Sequence, residues 1–132
     1  MRTIDIGIDK IDKIYHIADV HVRNVKRHRE YKSVFKRLYS YIKKTRTPNS
    51  VIYVAGDIVH AKTDMSPELV AVVSDFFKNL ADLAPTLIIT GNHDCNLNNS
   101  YRLDALSPIV KALNHQRLHY LKDNGIYCIS GV

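Results

Sequence analysis

The chain has 132 residues, enough for one domain with a buried core. Hydrophobic residues make up 45% and charged residues 24%, and no apolar run approaches the ~20 residues of a membrane span, so membrane and disordered classes are excluded and a cytoplasmic or nuclear protein is expected. The net charge of +6 is uneven: residues 23–46 hold ten Lys or Arg and one acid, net +9, which leaves −3 for everything else.

In chain order, residues 3–8 alternate polar and apolar, as a half-buried edge strand does. Residues 13–18 form a second strand ending at Asp19. Residues 27–44 are expected to be a helix, because Tyr31, Val34, Phe35, Leu38, Tyr41 and Ile42 recur at three- and four-residue steps. Lys32, Lys36, Arg37, Lys43 and Lys44 lie largely off that face. Pro48 ends the helical stretch. Residues 51–55 are continuously apolar, the pattern of a strand buried on both faces. Ser66 is placed as a helix N-cap with Pro67 at the first helical position, and the helix runs to Pro85. Residues 86–90 make a further buried strand. A shorter helix over 103–113 precedes two more strands, 117–121 and 126–130, joined by a turn at Asp123, Asn124 and Gly125.

Three strands therefore each deliver a short polar segment: Asp19-Val20-His21, Gly56-Asp57-Ile58-Val59-His60 and Gly91-Asn92-His93-Asp94. Asp19, Asp57 and Asn92 are successively 38 and 35 residues apart, a length that suits βαβ units. Right-handed crossovers make such strands parallel and put their C-terminal ends on one edge. Asp19, His21, Asp57 and Asn92 together form a mixed oxygen and nitrogen donor set, suited to manganese, magnesium, iron or zinc. Asp19 and His21 are two apart and point the same way in regular strand geometry. Asp57 could bridge two ions and Asn92 could serve the second. Two ions ~4 Å apart stabilise the attacking and leaving oxygens of a phosphoryl displacement. His93 is placed to protonate a leaving oxygen or to hydrogen-bond the phosphate. Asp94 either orients His93 or caps the next turn; His60 either touches substrate or caps its loop. Gly56 and Gly91 let the backbone turn sharply.

The remaining histidines carry less. His16 faces away from Asp19 by strand alternation. His28 sits in the basic stretch. His115 and His119 are four apart, but a helix end passes into a strand between them. Cys95 and Cys128 occupy unlike contexts and are expected to be free thiols. The basic stretch beside a phosphate-handling site would attract nucleic acid, with Arg23, Lys26, Arg27 and Arg29 as the nearest candidate contacts.

With D-x-H, G-D-x-x-H and G-N-H-D in this order, the chain resembles the calcineurin-like metallophosphoesterases. Within them, Tyr15–Ala18 before Asp19-Val20-His21, the basic helix that follows, Ser66-Pro67 and Arg102-Leu103-Asp104 resemble the nuclease subunit of the DNA double-strand-break repair complex and its SbcD-like bacterial and phage counterparts. The resemblance implies a four-layer αββα sandwich with a mainly parallel βαβαβ core. It implies two divalent metals, usually manganese in the nuclease branch, with Asp19, His21 and Asp57 at the first and Asp57 and Asn92 at the second. It implies His93 as the catalytic histidine and places His60 near the DNA backbone. It further implies DNA as partner, with homodimerisation and an SMC-like ATPase subunit in a longer parent. The family completes its site with G-H and G-H-x-H segments from later strands. Neither occurs here, so residues 1–132 are expected to be the N-terminal half of the domain, with one apolar sheet face left uncovered. The alternatives within this reading are a small-substrate phosphatase or cyclic-nucleotide phosphodiesterase, and a non-catalytic binding fragment.

Overall fold

The computed structural model describes residues 2–22, 28–56, 58, 66–89, 106–122 and 125–129. Nine elements follow one another: β1 (Arg2–Ile4), β2 (Lys13–Ile17), α1 (His28–Thr45), β3 (Ser50–Val54), α2 (Pro67–Leu83), β4 (Thr86–Ile89), α3 (Ser107–Leu113), β5 (Leu118–Leu121) and β6 (Tyr127–Ile129). β2, β3, β4 and β5 form one parallel sheet in that order. This is the expected α/β core, with strands in chain order and helices as crossovers.

The helices cover one face of this sheet. α1 contributes Phe35 and Ile42, and α2 contributes the fully buried Phe76, Phe77 and Leu80; they close over Ile52, Val54 and Ile88. The Phe35 and Phe76 rings stack with centroids 4.2 Å apart, which locks the two helices together. α2 starts as the sequence dictates. Ser66 is extended, its hydroxyl accepts from the Leu69 amide at 3.1 Å, and Pro67 opens the first turn. It stops because Ala84 precedes Pro85 and is driven to extended backbone (φ −164°). The last turn of α2 contains no cation of its own. Arg46 and Arg117 supply the charge from neighbouring loops, donating to the carbonyls of Leu83 (2.7 Å) and Asp82 (3.3 Å).

Two expectations are corrected. The first strand ends at Ile4 rather than residue 8, because the Asp5 carboxylate accepts from the Gly7 amide at 2.8 Å and Gly7 turns left-handed (φ +79°). The two strands expected near the C-terminus are present and lie in different sheets. β5 joins β4 in parallel, whereas β6 pairs with β1, also in parallel, in a separate two-stranded sheet. The second face of the main sheet is also not bare. Ile6 is buried with Val51 and Leu87, and Ile4, Ile8, Ile11 and Ile129 pack around them. Cover is thinner at the β2 edge, where Ile14 is 60% exposed. Among the described residues, no helix is long and apolar enough to cross a membrane.

Candidate metal centre

β2, β3 and β4 run in register, with Ile17 beside Val54 and Val54 beside Ile88. The chain therefore leaves these strands at one edge, toward Asp19 and His21 from β2, toward Asp57 from β3 and toward Asn92 from β4. The first two exits are tied together by backbone hydrogen bonds. The Ala55 amide donates to the Ile17 carbonyl (2.7 Å), and the Val22 amide donates to the Ile58 carbonyl (2.7 Å). Val22 and Ile58, the residues that follow His21 and Asp57 in the sequence, are both fully buried, so each loop is anchored in the core at that point. Gly56, immediately before Asp57, is buried with φ +85°, the sharp turn expected of it.

Asp19 and His21 do come together: His21 Nε2 lies 3.5 Å from Asp19 Oδ1. The reason is not the strand pleat. β2 ends at Ile17, and both residues adopt left-handed backbone, with φ 56° at Asp19 and 51° at His21. Asp and His tolerate this region better than most side chains but are still strained there. Two left-handed turns flanking Val20 aim both side chains to the same side. Asp19 is 77% exposed and His21 33%, so the pair opens outward rather than into the core. A separation of 3.5 Å lets both atoms sit ~2.0–2.2 Å from one ion. Their chemistry, one carboxylate oxygen and one imidazole nitrogen, suits the hard and borderline divalent cations.

Sequence reasoning missed one contributor. The Tyr31 hydroxyl, on the first turns of α1, donates to the His21 carbonyl oxygen at 2.8 Å. Tyr31 reads as one more apolar residue of the helix face, and its hydroxyl was the only sign of a second task. It holds the strained loop against the helix.

Asp57, His60, Asn92, His93 and Asp94 lie outside the described residues, as do Arg23, Lys26, Arg27, Gly91 and Cys95. Arg29 is exposed in the first turn of α1. Among the described residues, no three His, Cys, Asp or Glu side chains gather into a metal-binding group. The other histidines are engaged elsewhere. His16 lies against Tyr53 (centroids 5.4 Å apart) on the opposite face of the β2 edge. His115 Nδ1 accepts from the Arg117 amide at 3.1 Å, so its Nε2 carries the hydrogen and donates to Asp82 Oδ1 at 2.8 Å. That bond and a second from Lys78 hold the Asp82 carboxyl below its ordinary range. His119 lies in β5 beside Leu87; burial pulls its pKa down, and nearby Asp5 offsets part of this. His115 and His119 thus form no metal pair. Cys128 is a free thiol in β6.

A family profile for calcineurin-like phosphoesterases matches residues 12–132. The chain belongs to that family. The matched region starts one residue before β2 and contains all three motifs, and the family is one of metal-dependent phosphoesterases. The chain is also 51% identical over 129 residues to an uncharacterized protein of Acanthamoeba polyphaga mimivirus, a match covering 96% of this chain and 10% of that relative. The chain therefore spans about a tenth of the length of the relative it matches.

Proposed function

We propose that this chain contributes the D-x-H, G-D and G-N-H ligands of a two-metal site that hydrolyses DNA phosphodiesters in repair or recombination. The observation carrying this reading is the Asp19–His21 pair, 3.5 Å apart at an edge shared with the strands that lead to Asp57 and Asn92. Divalent ions at such a site stabilise the charge that builds on the attacking and leaving oxygens of a phosphoester. Asp19 and His21 would hold one ion, Asp57 would bridge, and Asn92 would serve the second. Manganese is the ion this reading favours; magnesium, iron and zinc accept the same donors. His93, next to Asn92, gives a proton to the leaving oxygen, and Asp94 orients its ring. His60 meets the phosphate backbone of the substrate. Tyr31 fixes the His21 backbone and so keeps the first pair convergent.

DNA is favoured over a small ester because the stretch with net charge +9 begins two residues after His21. Homodimerisation and an SMC-like ATPase partner belong to the same reading and would involve a longer chain. The test compares Mn2+-dependent hydrolysis of duplex DNA ends and of bis(p-nitrophenyl) phosphate by this chain and by a chain extended beyond it. Cleavage of DNA that Asp57→Asn abolishes is expected. Hydrolysis of the small ester alone would point to a small-substrate phosphoesterase. Metal binding without turnover of either substrate in both chains would point to a binding fragment.

A further inference from the structure

Helix α1 carries six exposed cations: Arg29, Lys32, Lys36, Arg37, Lys43 and Lys44. At 3.6 residues per turn they fall within an arc of ~140°, on the side away from buried Phe35 and Ile42. The one acid of the helix, Glu30, falls outside that arc. None of the six takes part in the ion pairs Asp19–His21, Lys78–Asp82 or Asp82–His115.

The neighbouring helix shows what a merely solvated face looks like in this protein. α2 packs in the same layer, and its polar side mixes Glu68, Asp75 and Asp82 with Lys78, which pairs with Asp82 at 3.1 Å in an i,i+4 arrangement. α1 does the opposite. Arg29–Lys32 and Lys32–Lys36 are like-charge neighbours at i,i+3 and i,i+4, an arrangement that destabilises a helix. The helix itself places no acid within this arc. A surface selected for solubility alone intersperses the two signs.

The orientation of α1 connects this face to the metal edge. Its start is held there by the Tyr31 hydroxyl on the His21 carbonyl. Its end is held at the far side of the sheet, where Lys13 Nζ donates to the Thr45 carbonyl at 2.6 Å and the Tyr15 and Thr45 hydroxyls lie 2.6 Å apart. From Arg29 to Lys44 the helix covers about 22 Å, roughly six phosphate steps of one duplex strand.

We infer that the outer face of α1 is a phosphate-backbone track, along which nucleic acid leaving the metal edge is held without regard to sequence. The inference rests on the nuclease reading for its partner class. An anionic bilayer is disfavoured because Phe35 and Ile42 of α1 are buried in the core, which leaves Val34 and Tyr41 as its large exposed apolar residues, too small an apolar face to enter a membrane.

The test measures the affinity of the 132-residue chain for a fluorescein-labelled duplex across a salt series. The comparison is with the triple variant Lys36→Gln, Arg37→Gln, Lys44→Gln and with its charge-preserving counterpart Lys36→Arg, Arg37→Lys, Lys44→Arg. Gln matches Lys and Arg in helix propensity, and circular dichroism checks that the fold is kept. The slope of log affinity against log salt should shrink by about 2 to 3 in the Gln variant, at ~0.9 per lost contact, and stay unchanged in the charge-preserving variant. An unchanged slope in the Gln variant, or no duplex binding by the wild type, overturns the track. So does a result in which these cations govern binding to phosphatidylserine vesicles and leave duplex binding untouched. The two readings fail separately: duplex bound through α1 but never hydrolysed overturns the nuclease reading alone, and hydrolysis with an unaltered salt slope overturns the track alone.

Discussion

Replacing Asp19 with Gly separates the stability of the fold from the chemistry of the site. Asp19 holds left-handed backbone at φ 56°, a conformation costing an L-residue ~1–2 kcal/mol. Gly adopts it freely but loses more backbone freedom on folding, which takes back ~0.5–1 kcal/mol. The side-chain contact forfeited is the 3.5 Å approach to His21, made by a carboxylate that is 77% exposed; exposed pairs contribute ~0–1 kcal/mol, and solvent screening puts this one at the low end. Without metal, the variant should be more stable than the wild type by about 0.5 kcal/mol, a Tm increase of roughly 2 °C for a chain of this size. With manganese the order should reverse. At a hundred times its Kd a ligand adds ~2.7 kcal/mol to a chain that binds it only when folded, and the variant lacks one of the two described donors. Thermal and urea unfolding in EDTA and in excess Mn2+ measure both halves. A variant more than ~1 kcal/mol less stable in EDTA, or a wild type whose Tm is indifferent to manganese, would refute the reasoning.

Three other outcomes are expected. Tyr31→Phe removes the hydrogen bond to the His21 carbonyl; one such bond contributes ~0.5–1.5 kcal/mol, so calorimetry should show manganese Kd rising about two- to tenfold with the fold intact. Phe76→Ala empties a fully buried site stacked on Phe35 and should cost ~3–5 kcal/mol in urea unfolding. His119 has a pKa lowered by burial, so the unfolded chain takes up its proton first. Its contribution to stability is complete above the unfolded value of ~6.5 and declines as pH falls below it, down to the lowered folded value. The urea midpoint should drop between pH 7.5 and pH 5, less so in His119→Gln; a midpoint that rises on acidification in the wild type but not in the variant would contradict this.

Much of this architecture was legible because local and global signals agree. The apolar face of α1, the Ser66-Pro67 start and Pro85 stop of α2, and the all-apolar runs of β3 and β4 each have one stable solution, and the parallel sheet follows from their alternation. The N-terminal end of the chain misled for a physical reason. Alternation in residues 3–8 fits a longer strand, but a carboxylate that captures the Gly7 amide outcompetes the next ladder bond. Of the turn expected at Asp123, Asn124 and Gly125, the first two residues lie outside the described residues, and a turn signal cannot say whether the strands beyond it share a sheet. Asp19 and His21 do lie side by side, but through left-handed backbone and not through the strand pleat that the spacing suggested. Spacing two apart is the same in a strand and in paired left-handed turns, and only backbone coordinates distinguish them. Tyr31 escaped because an apolar periodicity absorbs the ring and is silent about the hydroxyl.

Calorimetric titration of Mn2+ into the metal-free chain, beside His21→Ala and Asp57→Asn, tests most directly the claim that the three strand ends form a metal site. Binding by the wild type and at least ~10-fold weaker binding in each variant are expected, the least for a direct ligand given that supporting residues alone shift affinity this much. Equal manganese affinity in all three proteins would contradict it.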